Sequence, residues 1–150
     1  MKAHLFWHGI LGVLVFCTLA AALGLDDIVA HRICSNCGMD RKSYGYSRAL
    51  VRYSDGREVG YCSLNCAVKD MKEHPERQLQ ALLVADRDTL ELVDAKNAYW
   101  VMGGKKRGVM TARPKWAFAG RVAAERFLKS YGGTLESWDT TLQAAQVDSD

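Results

Sequence analysis

Residues 33–40 read ICSNCGMD: two cysteines three positions apart, a glycine, and a methionine two residues past the second cysteine. A thiolate and a thioether are soft, polarizable donors. Such donors select soft ions, Cu(I) above all, over oxygen-seeking ions such as calcium and magnesium. Cys37 and Met39 alternate around Gly38, so their sulfurs can converge on one ion if Gly38 takes a backbone conformation closed to side-chain-bearing residues. Ligand softness points to copper, and the plainer alternative for Met39 is a core filler. Asp40 reads as a solvated turn residue.

Further sulfur lies downstream in YCSLNC, where Cys62 and Cys66 stand four apart at the start of a helical pattern and can face one point. Cys34, Cys37, Cys62 and Cys66 together spell C-x2-C, 24 residues, then C-x3-C. That arrangement suits a tetrathiolate zinc site, which would leave Met39 without a role, and equally a pair of disulfides. A soft copper site, a closed zinc site and disulfide staples therefore stay open together. Met110, in a loop-like stretch beside Gly108, is a third candidate soft ligand, its alternative being packing on Trp116. His31, three residues before Cys34, is within reach of the same site; an isolated histidine is more often a surface or core residue. His74, beside Pro75, reads as a helix-end residue. Met71, Met102, Trp100, Trp116, Trp138 and Tyr99 read as core.

No catalytic constellation accompanies the sulfurs. There is no nucleophile-elbow serine, phosphate loop or paired-histidine zinc motif, so the chain does not read as an enzyme. A C-x-x-C pair that served thiol redox catalysis would open a helix; here a glycine, a methionine and a polar turn follow it.

The elements that must position these residues form an α+β pattern. Over 150 residues, 49% are hydrophobic and 25% charged, as expected of a packed fold. The net charge of +3 and the lack of a long basic run argue against nucleic acid, and GGKKRG reads as a solvated turn. Residues 1–24 carry a short basic start, an apolar run and small residues near the end, the pattern of a signal peptide or a membrane anchor helix. The segment LVFC, ending at Cys17, partly matches a lipoprotein box. The folded part is therefore expected outside the cytoplasm, periplasmic and in one version anchored to the cytoplasmic membrane. Residues 25–33 read as a linker. The hairpin expected from SRALVRYSDGREVGYCS leads into a helix capped by Ser63 and ended by Pro75, then extended chain with a turn at Asp86-Arg87-Asp88. AYWVMGG, GVMTARPKWAF and a helix stopped by Gly132-Gly133 repeat the plan, with Val122, Ala123, Arg126, Phe127 and Tyr131 on the helical period. Two small ββαβ modules in tandem are expected, at 34–96 and 97–142, followed by a frayed tail at 143–150.

These motifs resemble one known family. CSNCGM, the DG hairpin, the cysteine-bearing helix, AYWV, GVMTARPKWAFA and AAERFLKSYGGTLESWD look like the NosL family over residues 34–142. That family comprises exported accessory proteins of nitrous oxide reductase. The resemblance implies a Cu(I)-binding chaperone that delivers copper to a cuproprotein acceptor, first nitrous oxide reductase, and that meets other copper-transfer proteins. It places the copper ligands on Cys37 and Met39, with Met110 as the counterpart of a later family methionine. Cys34, Cys62 and Cys66 would assist, exchange the ion or brace the fold. The Cys62/Cys66 pair is similar instead to a TRASH-type metal finger, which implies a zinc-binding structural or interaction module of the cell envelope as the alternative.

Overall fold

The computed structural model describes residues 25–148. The expected leader at 1–24, with its lipoprotein-like Cys17, lies outside the described residues. Among those described, no helix is long and apolar enough to cross a membrane.

The chain between residues 25 and 33 is more than the linker expected of it. Asp26–Ala30 form a one-turn helix, α1. Its Asp27 carboxylate lies 2.6 Å from the Arg41 guanidinium and 2.9 Å from that of Arg48. Both arginine side chains are wholly buried and the aspartate nearly so. Burying a lone guanidinium is costly, so two of them enter the interior only with a shared counter-ion and acceptors for their remaining N–H groups. Backbone carbonyls of Asp27, His31, Ala49 and Tyr61 serve Arg41, and those of Gly45 and Leu90 serve Arg48.

The hairpin forms as its alternation and Asp55-Gly56 turn require. Strands β1 (Ala49–Tyr53) and β2 (Glu58–Tyr61) pair antiparallel, and Gly56 takes the positive φ of the turn. Helix α2 (Leu64–Glu73) follows at once, with the Ser63 hydroxyl accepting from the Cys66 N–H as an N-cap. The helix stops at His74, ahead of Pro75. Strand β3 (Leu79–Ala85) returns beside β1, and β4 (Leu92–Asp94) adds to its outer edge, giving the order β2-β1-β3-β4. Asp86 makes the turn between them, its carboxylate accepting from the N–H groups of Asp88 and Thr89.

The second sheet has the order β6-β5-β7, from β5 (Tyr99–Met102), β6 (Lys115–Phe118) and β7 (Thr134–Glu136). Helix α3 (Arg121–Tyr131) precedes β7 and ends where Gly132 and Gly133 take positive φ. Gly133 is obligatory for packing as well, since a Cβ there would stand 2.7 Å from the Met102 carbonyl oxygen. On α3 the apolar stripe is set by Ala124 and Phe127; Val122, expected on that face, is 75% exposed because it falls on the opposite side of the turn. Tyr99 is likewise exposed at the head of β5 rather than in the core, while Trp100 and Met102 are buried.

The chain's end departs most from expectation. Residues 138–147 form helix α4 (Trp138–Val147), so the tail expected to fray from 143 is helical through 147. Ser137 caps it by accepting from the Thr140 N–H, and Thr141 and Ala145 pack with no exposure at all. These small side chains let α4 lie closely against α2 and β5. The larger apolar cluster consequently spans both sheets: it holds Cys34, Cys62 and Cys66 together with Trp100, Val109, Ala117 and Ala145. A smaller one gathers Val101, Trp116, Phe118 and Phe127 under α3, with the Phe127 ring 5.5 Å from Trp116 and 5.3 Å from Phe118.

Candidate metal centre

Two backbone segments supply the sulfur. The first is the turn at 33–40, closed by a bridge between Ile33 and Asp40. Within it the Cys34 N–H donates to the Met39 carbonyl and the Gly38 N–H to the Cys34 carbonyl, each at 2.9 Å. Gly38 adopts φ +78°, the conformation the C-G-M spacing demands. Arg32 and Asp40 close the turn's open side with a paired salt bridge, so Asp40 is more than a solvated turn residue. The second segment is the junction of β2 and α2, where a strand delivers Cys62 and the first helical turn delivers Cys66. The two are stitched by the Ser35 N–H donating to the Gly60 carbonyl at 3.0 Å. Gly60 cannot be larger: a Cβ there would stand 2.5 Å from an Arg41 guanidinium nitrogen. Arg41, held by Asp27, thus lies directly beneath the junction.

The four sulfurs of Cys34, Cys37, Cys62 and Cys66 all lie within 4.8 Å of one another. All four are free thiols; three are buried and Cys37 is half-buried at the rim. Cys62 Sγ stands 3.5 Å from Cys37 Sγ and 3.7 Å from Cys66 Sγ. Four sulfurs each about 2.3 Å from a tetrahedral ion would lie about 3.8 Å apart, so the pocket has the dimensions of a metal–thiolate site. Its acid–base character is uneven. Hydrogen bonds from Cys62, then Cys66, hold the Cys34 thiol far below the ordinary thiol range, against the opposing effect of burial. The same contacts push Cys62 far upward, and with burial raise Cys66 to about 11. The thiol–thiol contacts thus favour the thiolate form at Cys34 and the protonated form at Cys62 and Cys66.

Met39 is part-buried on the same cluster of side chains. Met110 does not pack away in the core: it is 49% exposed, with a φ of +52° rare for a side-chain-bearing residue. Its neighbours Val109 and Thr111 share a small internal cavity with Ser63, Leu64 and Asn65, the residues between Cys62 and Cys66. His31 is not among the clustered ligands. It serves through its backbone carbonyl, which accepts from Arg41. His74 caps α2, its N–H donating to the Asp70 carbonyl. The residues no sequence motif marked are Asp27, Arg41 and Arg48, whose partners lie 14 and 21 positions apart.

Together these features define a fold of mixed α and β structure, with two antiparallel sheets and four helices among the described residues and a thiol cluster able to hold a metal ion. The NosL family model matches residues 26–145, and the chain belongs to that family. Among solved structures, it is similar to the copper chaperone NosL from Shewanella denitrificans, with 21% identity and a TM-score of 0.57, over 71% of this chain and 87% of that one. Comparison with curated proteins gives no match.

Proposed function

We propose that this chain is an exported Cu(I) chaperone, built as two ββαβ units behind a signal or anchor segment, that delivers copper to a cuproenzyme, nitrous oxide reductase first among the candidates. The observation that carries the reading is the gathering of four cysteine sulfurs within 4.8 Å of one another, with Met39 on the same turn. Cys37, the half-buried thiol at the rim, is the ligand through which an ion would enter and leave. Met39 adds a soft donor that does not titrate, and Met110 a second such donor on the outer surface. Cys34, Cys62 and Cys66 form the buried floor, where contacts from Cys62 and Cys66 lower the Cys34 pKa and so favour its thiolate as a ligand. Family membership and the likeness to a copper chaperone support the choice of ion. Copper here is cargo, and the chain needs no catalytic group.

The sulfur spacing favours one second reading, a resident zinc in a closed tetrathiolate site bracing an interaction module. Metal content of reduced, anaerobically isolated protein separates the two. The chaperone reading expects Cu(I) equimolar with the chain, measured by competition with a chromophoric Cu(I) chelator, and an affinity that falls in acid as thiols reclaim their protons. Met39→Leu should weaken Cu(I) about tenfold, ~1.4 kcal/mol, and leave zinc binding unchanged. A single zinc that withstands Cu(I) challenge would establish the second reading and overturn the first.

A further inference from the structure

The stretch from Gly103 to Lys115, the β5–β6 connection together with the first residue of β6, holds five lysines and arginines and no acid. The whole chain stands at +3; with this stretch at +5, everything else sums to −2. Positive charge is thus segregated onto one connection. Lys115 is neutralised within it, buried at 2.7 Å from Asp148, and Arg113 lies 3.9 Å from Glu136. Lys106 is held over the Tyr131 ring, 5.3 Å from its centroid. Lys105, Lys106 and Arg107 have no acidic partner among the described residues.

The backbone that carries these charges is pinned. The Lys105 N–H donates to the Tyr131 carbonyl at 2.8 Å. A Cβ at Gly108 would stand 2.9 Å from Pro114 Cα, so the loop doubles tightly back on itself. Val109 is buried, and the Thr111 hydroxyl lies 2.6 Å from the Asp148 carboxylate and accepts from Lys115. The residue this frame turns outward is Met110. A left-handed backbone at such a residue is strained, and it persists only where the surroundings impose it.

We propose that this loop is the docking surface for an acidic face of the protein that receives the metal. The inference rests on the chaperone reading and adds to it the chemistry of the partner. Three cations without acidic partners, on the same pinned loop as an outward thioether, fit a protein surface of opposite charge. They are too few to hold a nucleic acid against a remainder at −2. The loop also lacks the broad amphipathic face by which segments lie on a bilayer. Charges so placed act on encounter rate, and salt screens them.

The test uses two acceptor peptides with the same Cu(I)-binding cysteine pair, one flanked by glutamates and the other by glutamines. Transfer from the Cu(I)-loaded full chain is followed by stopped flow. Wild type should transfer to the acidic peptide about tenfold faster at low salt, with the advantage fading as salt is added. K105E/R107E should abolish the preference while leaving Cu(I) affinity unchanged. K69E/K96E, which alters net charge equally on α2 and on the turn between β4 and β5, should keep most of it. Equal loss in both variants, or no preference in a chain that still loads Cu(I), would overturn the docking assignment alone. So would loop-dependent capture of the chain by phosphatidylglycerol vesicles without a peptide preference. A chain that fails to load Cu(I) would overturn the chaperone reading beneath it.

Discussion

Replacing Asp27 with alanine removes the carboxylate that lies between two fully buried guanidiniums. Arg41 would keep its carbonyl acceptors at Tyr61, His31 and Ala49, and Arg48 those at Gly45 and Leu90. Most N–H groups therefore stay satisfied, and what is lost is charge compensation. Breaking a buried pair in this way costs about 3–5 kcal/mol, a large part of the roughly 5–15 kcal/mol that holds a domain folded. With a urea slope of about 1–3 kcal/mol/M, the midpoint should fall by about 2 M. The assay is urea unfolding of the reduced, metal-free chain by tryptophan fluorescence, since Trp100 and Trp116 are both buried. A second signature is the acid limb. Burial raises the Asp27 pKa, but its contacts with Arg48 and Arg41 outweigh that and leave it below 3.8. A depressed folded-state pKa means the stabilisation is present above pH 3.8 and is lost as pH falls through the lower, folded-state value. Wild type should lose this increment below pH 3.8, whereas the alanine variant should have none to lose. A midpoint shift under about 0.5 M, with an unchanged acid limb, would refute the claim that this ion triplet supports the metal-bearing turn.

Hydrogen bonds from Cys62 and Cys66 lower the Cys34 pKa, so ultraviolet titration of the metal-free, reduced chain should show one thiol ionising below the ordinary thiol range; a titration in which every thiol ionises at or above that range would refute this asymmetry of the cluster. The thiols held up, Cys66 near 11 among them, contribute stability that is intact below pH 9 and fades as pH rises toward that value, so alkaline melts should drop for the metal-free chain. Gly38→Ala should cost about 1–2 kcal/mol from φ alone, because a Cβ there meets nothing within 4 Å; a neutral result in chemical denaturation would show that the turn relaxes freely. Ser63→Ala should cost about 1 kcal/mol through loss of the α2 cap, read as a lower melting temperature.

Local signals were legible wherever partners sit close in sequence. The Asp55-Gly56 turn, the Ser63 cap and the Gly132-Gly133 stop each act over a few residues, and each stands where its chemistry places it. The grouping of C-x2-C with C-x3-C was open to several readings because spacing does not reveal whether two segments meet; the Ser35–Gly60 backbone bond that joins them leaves no side-chain trace. Asp27 was hidden for the same reason: a lone aspartate in a polar lead-in looks solvated until two arginines fold over it. Helix α4 escaped notice because its buried face is built from Thr141 and Ala145, small residues that give a weak apolar stripe, and its packing surface on α2 exists only in three dimensions.

The stitched junction has a mechanical corollary. Cys37 and Cys62 lie 25 residues apart, and no covalent bond joins the two segments that carry them. An ion held by both would act as a removable crosslink over the hairpin, comparable to a disulfide that closes a loop of that size, about 3 kcal/mol. Surrendering the cargo would therefore slacken the corner of the fold that had gripped it, so that an emptied chain could be told from a loaded one by its resistance to proteolysis there.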